Sequence, residues 1–308
     1  MPGSSPEGAI RRGQLSRARL YVGKNDAELD HFTTRLGEVA AATISDHNKN
    51  GPNEDSGAII TVNDDYLVLI VADGVGGVVG ARRASNLTVE TIHEAVTGLE
   101  DTTGGKLRSA ILDGIETANQ KVLDLGTGSA STLALAEIGP DYVRTYHVGD
   151  SILLICGQRG KLKLMTTPHS PVGFAMEAGL LNESEAMQHA ELNLIFNVIG
   201  SADMRIEIGS EMPMAAYDTL MLASDGLTDN VMQDEMIGAI RSGPLDTGLQ
   251  QLTNLAQQRM ANDDKSKPSK PDDYTVILYR PKPPRRPGST GVQARSRRAI
   301  RPDADSLS

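Results

Sequence analysis

Two short apolar runs in this 308-residue chain stop abruptly beside an aspartate. Tyr66 to Ala72 leads into Asp73-Gly74-Val75-Gly76-Gly77, and Thr219 to Ala223 into Ser224-Asp225-Gly226-Leu227-Thr228-Asp229. Runs of this length are strands buried in a sheet, and they fall far short of the roughly 20 residues of a membrane span. Each strand therefore delivers a carboxylate to the place where its sheet ends and a site can open. Two further acidic groups, Asn53-Glu54-Asp55 and Asp272-Asp273-Tyr274, also adjoin predicted strands.

Any one Asp-Gly is most often a turn. Four acidic elements at strand ends are a different matter, because gathered carboxylates repel one another unless a cation neutralises them. Oxygen-only ligation suits Mg²⁺ or Mn²⁺ and disfavours zinc, which usually recruits His or Cys. The glycines after Asp73 let backbone approach a metal or a phosphate closely.

Strand signals begin at Gly37, with Val39 to Ile44, then Ala58 to Val62, an Asn63-Asp64-Asp65 turn and Tyr66 to Ala72. Two helices follow. One spans roughly Arg83 to Leu99; the other carries Leu107, Ile111, Ile115, Ala118, Val122 and Leu125 at spacings of three and four. Further strands are expected at Ser131 to Ile138, Tyr142 to Val148, Ile152 to Cys156, Lys161 to Met165, Arg205 to Ile208, Thr219 to Ala223 and Tyr274 to Tyr279. Helices are expected near Met232 to Ile240 and Leu245 to Met260. Strands cluster between helix pairs without βαβ alternation, which favours packed antiparallel sheets with helices outside. Residues 1–36 read as a polar N-terminal arm, 37–280 as the folded domain with a mixed insert at about 167–200, and 281–308 as a basic, Pro/Arg-rich disordered tail.

Charge divides along the same lines. The tail holds seven Lys and Arg against two Asp, so with a formal net charge of −10 the remaining residues carry −15. An acidic body without Trp and with 3 % aromatics does not attract nucleic acid. The N-terminus lacks an apolar signal region, and the single cysteine, Cys156, cannot make an intramolecular disulfide framework. A cytoplasmic location is the expectation.

Rival hydrolytic chemistries fail on spacing. A cysteine phosphatase needs an arginine six positions after its cysteine, where this chain has Leu162. A histidine metallophosphatase needs a histidine two residues after Gly-Asp, where Ile152 follows Gly149-Asp150. An aspartyl-phosphate enzyme wants Asp-x-Asp, and Asp73 is followed by Gly74-Val75. Cys156 and His147 read as packed residues, and His169 and His189 as capping or packing residues.

Five stretches in order carry a resemblance: Asn53-Glu54-Asp55-Ser56, Val71-Ala72-Asp73-Gly74-Val75-Gly76-Gly77, Val148-Gly149-Asp150-Ser151, Ala223-Ser224-Asp225-Gly226-Leu227-Thr228-Asp229 and Asp272-Asp273-Tyr274-Thr275-Val276. Between them, Glu185-Ala186, His189, Asn193 and Gly200 fit a flap segment. With these residues the chain resembles the metal-dependent serine/threonine protein phosphatases of type 2C, bacterial members above all. The resemblance implies an α+β fold, a four-layer α-β-β-α sandwich of two mainly antiparallel sheets flanked by helices, with a flap. It also implies two Mn²⁺ or Mg²⁺ ions: Asp73 bridges both, Asp225 and Asp272 complete one shell, the Gly74 carbonyl reaches the other ion, and Glu54 and Asp55 hold metal-bound waters. Asp150 and Asp229 are candidates for a weaker third ion. A metal-activated water would then attack phosphorus in line, with phosphorylated proteins as substrates and a serine/threonine kinase, or its targets, as partner.

Three positions depart from the family pattern. Asn50, beside Lys49, stands where many members have the arginine that grips phosphate, and a lysine lacks the bidentate fork. Val75 replaces a histidine found in animal members, and Pro168-His169-Ser170 replaces Asp-His-Ser in the flap. Lys49 and Asn50 are the candidate phosphate-binding residues. The missing arginine motivates a second hypothesis, a non-catalytic module of this fold that binds phosphoproteins. The retained Asp73, Asp225 and Asp272 argue for the enzyme, since clustered carboxylates are costly to keep.

Overall fold

The computed structural model describes residues 10–15, 17–24, 27–46, 51–76, 80–102, 105–261 and 269–282. Fifteen strands and seven helices lie among them. A seven-stranded sheet runs in the order β1 (Arg11–Gln14), β3 (Glu28–Thr33), β4 (Gly37–Ile44), β15 (Tyr274–Pro281), β14 (Thr219–Ala223), β11 (Ile152–Cys156) and β12 (Leu162–Met165). A six-stranded sheet runs β13 (Glu207–Ile208), β10 (Val143–Val148), β9 (Leu133–Ile138), β6 (Tyr66–Ala72), β5 (Ser56–Val62) and β2 (Ala18–Tyr21). A small ribbon joins β7 (Gly74–Val75) to β8 (Ala130–Ser131). Every pairing is antiparallel except β1 with β3.

The apolar runs are continuous because both faces of each central strand are buried, and successive side chains point to opposite faces. Along β6, Leu67, Leu69 and Val71 face the space between the sheets, while Val68, Ile70 and Ala72 join Ile92, Ile111 and Ile115 from α1 (Ala81–Thr97) and α2 (Lys106–Leu123). Along β14, Leu220 and Leu222 point inward, while Met221 and Ala223 meet Met236 and Leu249 from α6 (Gln233–Ile240) and α7 (Leu245–Met260). Three apolar layers thus separate helix, sheet, sheet and helix, and the fold is the expected α-β-β-α sandwich. The remaining helices are short: α3 (Pro171–Glu177) and α4 (Glu183–Ala186) lie in the insert, and α5 (Asp225–Thr228) follows β14.

One expectation is corrected. The stretch expected as an arm supplies three strands, β1 and β3 to one sheet and β2 to the other. Its apolar signal is weak because charge holds it in place. Buried Asp30 on β3 accepts from Tyr21 Oη and Arg19 Nε, both at 2.9 Å, and Arg19 also pairs with Glu28. Residues 283–308, nearly all of the expected basic tail, lie outside the described residues, as do Lys49 and Asn50. No helix among the described residues is long and apolar enough to cross a membrane.

Candidate metal centre

Antiparallel register brings the acidic motifs to one end of the sandwich. Ser56 pairs with Ala72, Ile152 with Ala223, and Ala223 with Val276. Asp55, Asp73, Asp150, Asp225 and Asp272 therefore leave their strands on the same side, although more than 200 residues separate the first from the last. The charge of Asp225 is felt at Asp55, Asp73, Asp150, Asp229 and Asp272, which marks all six as one cluster.

The glycine of each Asp-Gly pair is demanded by this convergence. A Cβ at Gly74 would stand 2.3 Å from the Ala81 carbonyl oxygen and 2.9 Å from that of Glu54; one at Gly226 would stand 2.0 Å from that of Asp273. No side chain fits at either position. Hydrogen bonds then fix the ligand-bearing loops. The Asp73 N–H donates to Thr132 Oγ1 (2.9 Å) and its carbonyl accepts from the Thr132 N–H (2.8 Å), while Thr132 and Ser151 join through their hydroxyls at 2.6 Å. Ser224 Oγ donates to Asp55 Oδ2 at 2.6 Å and accepts from the Thr275 N–H at 2.9 Å. Asp273 does not join the cluster as a free acid; its two oxygens accept the N–H groups of Asp46 (2.9 Å) and Glu54 (2.8 Å), holding the loop that carries Glu54 and Asp55.

Electrostatics at this end are strongly biased. Burial, then the charges of Asp225, Asp55 and Asp150, holds the Asp73 carboxyl well above the usual range, and burial does the same at Asp150. Burial is also the largest cause at Asp55, pushed up to about 8, at Asp229, to about 7, and at Asp272, to about 6. Oδ1 of Asp55, of Asp150 and of Asp225 is buried without a hydrogen-bond partner. Buried acceptors of this kind are normally satisfied. An all-oxygen set of carboxylates with unspent lone pairs fits hard divalent cations.

Sequence reasoning missed Lys270. Its ammonium lies 2.6 Å from Asp225 Oδ2, 2.7 Å from Asp229 Oδ2 and 3.8 Å from Asp272 Oδ2. Burial works to lower its pKa, but Asp225 and Asp229 outweigh burial and raise it, so the charge is held. Asp225 and Asp229 can share it because four residues of helical backbone put them on one face, the Asp229 N–H donating to the Asp225 carbonyl at 2.7 Å. Buried Asn230 fixes the backbone of Lys270 on both sides, accepting its N–H at 2.8 Å and donating to its carbonyl at 2.7 Å. The one signal in the sequence was a basic residue two positions before Asp272.

A cavity of about 290 Å³ adjoins the cluster, with Asp150, Asp225 and Asp229 at one end and Val172, Met176, Met187 and Met236 along it. The insert closes over it: Gln233 at the start of α6 donates its N–H to Glu183 Oε1 of α4 at 2.6 Å. At the base of the insert, donor atoms of His147, His169 and Glu207 lie within 4.8 Å of one another. The Gly149 N–H donates to His169 Nδ1 at 3.1 Å, which leaves the ring proton on Nε2, facing Glu207 Oε2 at 3.1 Å. His169 therefore offers no lone pair there, and burial lowers the pKa of His147 to about 3. Both are packing residues that anchor the insert.

A sandwich of this topology with a buried, oxygen-rich acidic cluster at one end defines a metal-dependent phosphatase. Residues 45–263 match the family model described as protein phosphatase 2C. The chain is 30 % identical over 205 residues to the protein phosphatase PhpP of Streptococcus pneumoniae, covering 61 % of this chain and 82 % of that one. Among solved structures, the Streptococcus agalactiae serine/threonine phosphatase superposes with a TM-score of 0.69 at 28 % identity, over 79 % of this chain and 99 % of that one. The catalytic domain of PstP, a serine/threonine protein phosphatase solved with two manganese ions, shares the fold at 22 % identity and a TM-score of 0.64, over 80 % of this chain and 99 % of that one. The chain belongs to the protein phosphatase 2C family. It is a metal-dependent enzyme, a protein serine/threonine phosphatase.

Proposed function

We propose that the cluster holds two divalent cations, Mn²⁺ or Mg²⁺, and that the chain uses them to hydrolyse phosphoserine and phosphothreonine in proteins. Asp73, Asp225, Asp272 and the Gly74 carbonyl would hold the ions. Glu54 and Asp55 orient water beside them. The observation that carries this reading is the set of buried, unpartnered oxygens on Asp55, Asp150 and Asp225. PstP, which shares the fold, binds two manganese ions.

When bound, the cations supply a hydroxide-like nucleophile near neutral pH and offset charge on the phosphoryl oxygens. The protein's own part is positional. The Thr132 and Ser151 hydroxyls fix the Asp73 backbone, Ser224 orients Asp55, and the flap lines one side of the cavity. The apolar half of that cavity, with Val172, Met176 and Met236, suits side chains flanking a phosphorylated residue. Lys49 beside Asn50 is the proposed phosphate grip. The partner is a serine/threonine kinase or its targets, the setting is cytoplasmic signalling, and the catalytic unit has its flap at about residues 167–200. No observation favours the non-catalytic module weighed against the enzyme.

The deciding experiment is hydrolysis of a phosphothreonine peptide with EDTA, Mg²⁺ or Mn²⁺, alongside Asp73→Ala. Turnover that needs metal and disappears in the variant is expected. A folded protein that turns over equally in EDTA, or an Asp73→Ala variant at full rate, would overturn the residue assignment.

A further inference from the structure

Six buried or half-buried carboxylates converge at this end of the sandwich, and one of the cations that neutralise them is part of the chain. The Lys270 ammonium sits between Asp225 Oδ2 and Asp229 Oδ2 at 2.6 and 2.7 Å, with Asp272 Oδ2 at 3.8 Å. We propose that Lys270 occupies the place a third divalent ion would take, so that this centre carries two exchangeable ions and one tethered ammonium. This inference rests on the metal-centre reading above and concerns only how many ions that centre accepts.

Three observations support it. The first is mutual exclusion. A Mg²⁺ held by Asp229 Oδ2, from one of the two carboxylates expected for a third ion, needs a contact of about 2.1 Å, which puts it against the space the ammonium nitrogen fills 2.7 Å from the same oxygen. The second is the division of labour within Asp225. Oδ2 is spent on the lysine, while Oδ1 is buried and unpartnered, as are Asp55 Oδ1 and Asp150 Oδ1. The unsatisfied acceptors thus lie on the atoms the lysine does not touch. The third is preorganisation. Lys270 is not a long surface side chain that has wandered in; its main chain is clamped by both polar ends of the Asn230 amide, and Asn230 itself is buried.

The chemistry of the two kinds of cation differs. An ammonium donates hydrogen bonds but has no empty coordination position, so it cannot bind a water oxygen or a phosphoryl oxygen as a metal does. Its contribution is to neutralise Asp229 and one edge of Asp225 whatever the free metal concentration, leaving Asp73, Asp272 and the free edge of Asp225 to the exchangeable ions.

The test counts ions rather than turnover. Mn²⁺ bound per chain is measured by equilibrium dialysis with metal analysis on wild type, Lys270→Met, Asp229→Asn and the double variant, with circular dichroism to verify folding. Two ions are expected on wild type, three on Lys270→Met, two on Asp229→Asn and two on the double variant, where the freed position has lost a ligand. Three ions on wild type, or an ion lost by Asp229→Asn alone, would overturn the proposal even if Lys270→Met proved unable to fold. So would a folded Lys270→Met that still binds two. A wild type that binds no Mn²⁺ would instead sink the metal-centre reading itself, and the lysine proposal with it.

Discussion

Two of the places where the sandwich buries carboxylates solve the problem in opposite ways. On β9, Glu137 is 2 % exposed and faces its cross-strand partner Arg144 on β10. Its Oε2 accepts from Arg144 Nη1 at 3.0 Å and Tyr146 Oη at 2.6 Å, and its Oε1 from Tyr142 Oη. Arg144 continues to Glu211 at the surface. Every lone pair that matters is satisfied by side chains of one sheet. At the other place, among the described residues, one lysine lies within 4 Å of three of the six aspartates, and three buried oxygens of the cluster have no partner. A paired buried acid is structure; an unpaired set is demand for a ligand, because burial of charge is tolerated only when something neutralises it. The two sites use the same residue chemistry, so the number of unsatisfied oxygens, not acidity, separates framework from function.

The sharpest way to break that contrast is to alter one acid at each place. Asp225→Asn should lose several kcal/mol of transition-state stabilisation, about 10³-fold in turnover, and weaken Mn²⁺ binding while the thermal midpoint measured in EDTA holds. Wild-type turnover by this variant would show that the unpartnered oxygens mean nothing. Glu137→Leu should do the reverse. Leaving the Arg144 charge with only its surface partner and two tyrosine hydroxyls unpaired should cost about 3–5 kcal/mol of stability, read from denaturant melts, with turnover per folded molecule retained.

A smaller effect comes from pH. In metal-free protein, Asp55, Asp229 and Asp272 have folded pKa values of about 8, 7 and 6, all above the unfolded carboxylate value. The folded state therefore holds protons that the unfolded state has lost, and stability must fall as pH rises from about 4 through 8. The thermal midpoint in EDTA should drop by several degrees between pH 5.5 and pH 8, and saturating Mn²⁺ should flatten the slope. A midpoint that rises with pH in EDTA would contradict the picture of unneutralised acids. Smallest of all, Lys106→Ala, which removes the exposed pair with Asp101, should change stability by no more than about 1 kcal/mol. A larger loss would mean that solvent-exposed pairs in this protein are no longer a neutral baseline.

Much of this was legible beforehand. The central strands β4, β5, β6 and β14 and the helices α1, α2, α6 and α7 lie within a few residues of their expected positions, because runs buried on both faces and stripes at helical spacing are local signals. The motif aspartates were legible for the same reason, each marking the end of such a run. What escaped was held by charge across distance. Strands β1 to β3 are fastened by Arg19, Glu28, Asp30 and Tyr21, which read as polar residues in any window. Asp273 looks like a ligand beside Asp272, yet its oxygens are used up by two backbone N–H groups from a loop over 200 residues away. Lys270 could be placed only once the turn spanning Asp225 and Asp229 had been seen to face it. Periodicity carries no record of such pairings.

The dispersal of the acids along the chain has a consequence for how the protein exists in a cell. Asp55, Asp73, Asp150, Asp225 and Asp272 come together only after both sheets have closed, so an unfolded chain has no comparable cluster. An ion that binds one state and not the other shifts the balance by mass action, by about 2.7 kcal/mol when its concentration is a hundredfold above its dissociation constant. With ions held as proposed above, metal supply would act on the lifetime of the molecule as well as on its rate, and a cell starved of divalent ions would lose this phosphatase to proteolysis as well as to idleness.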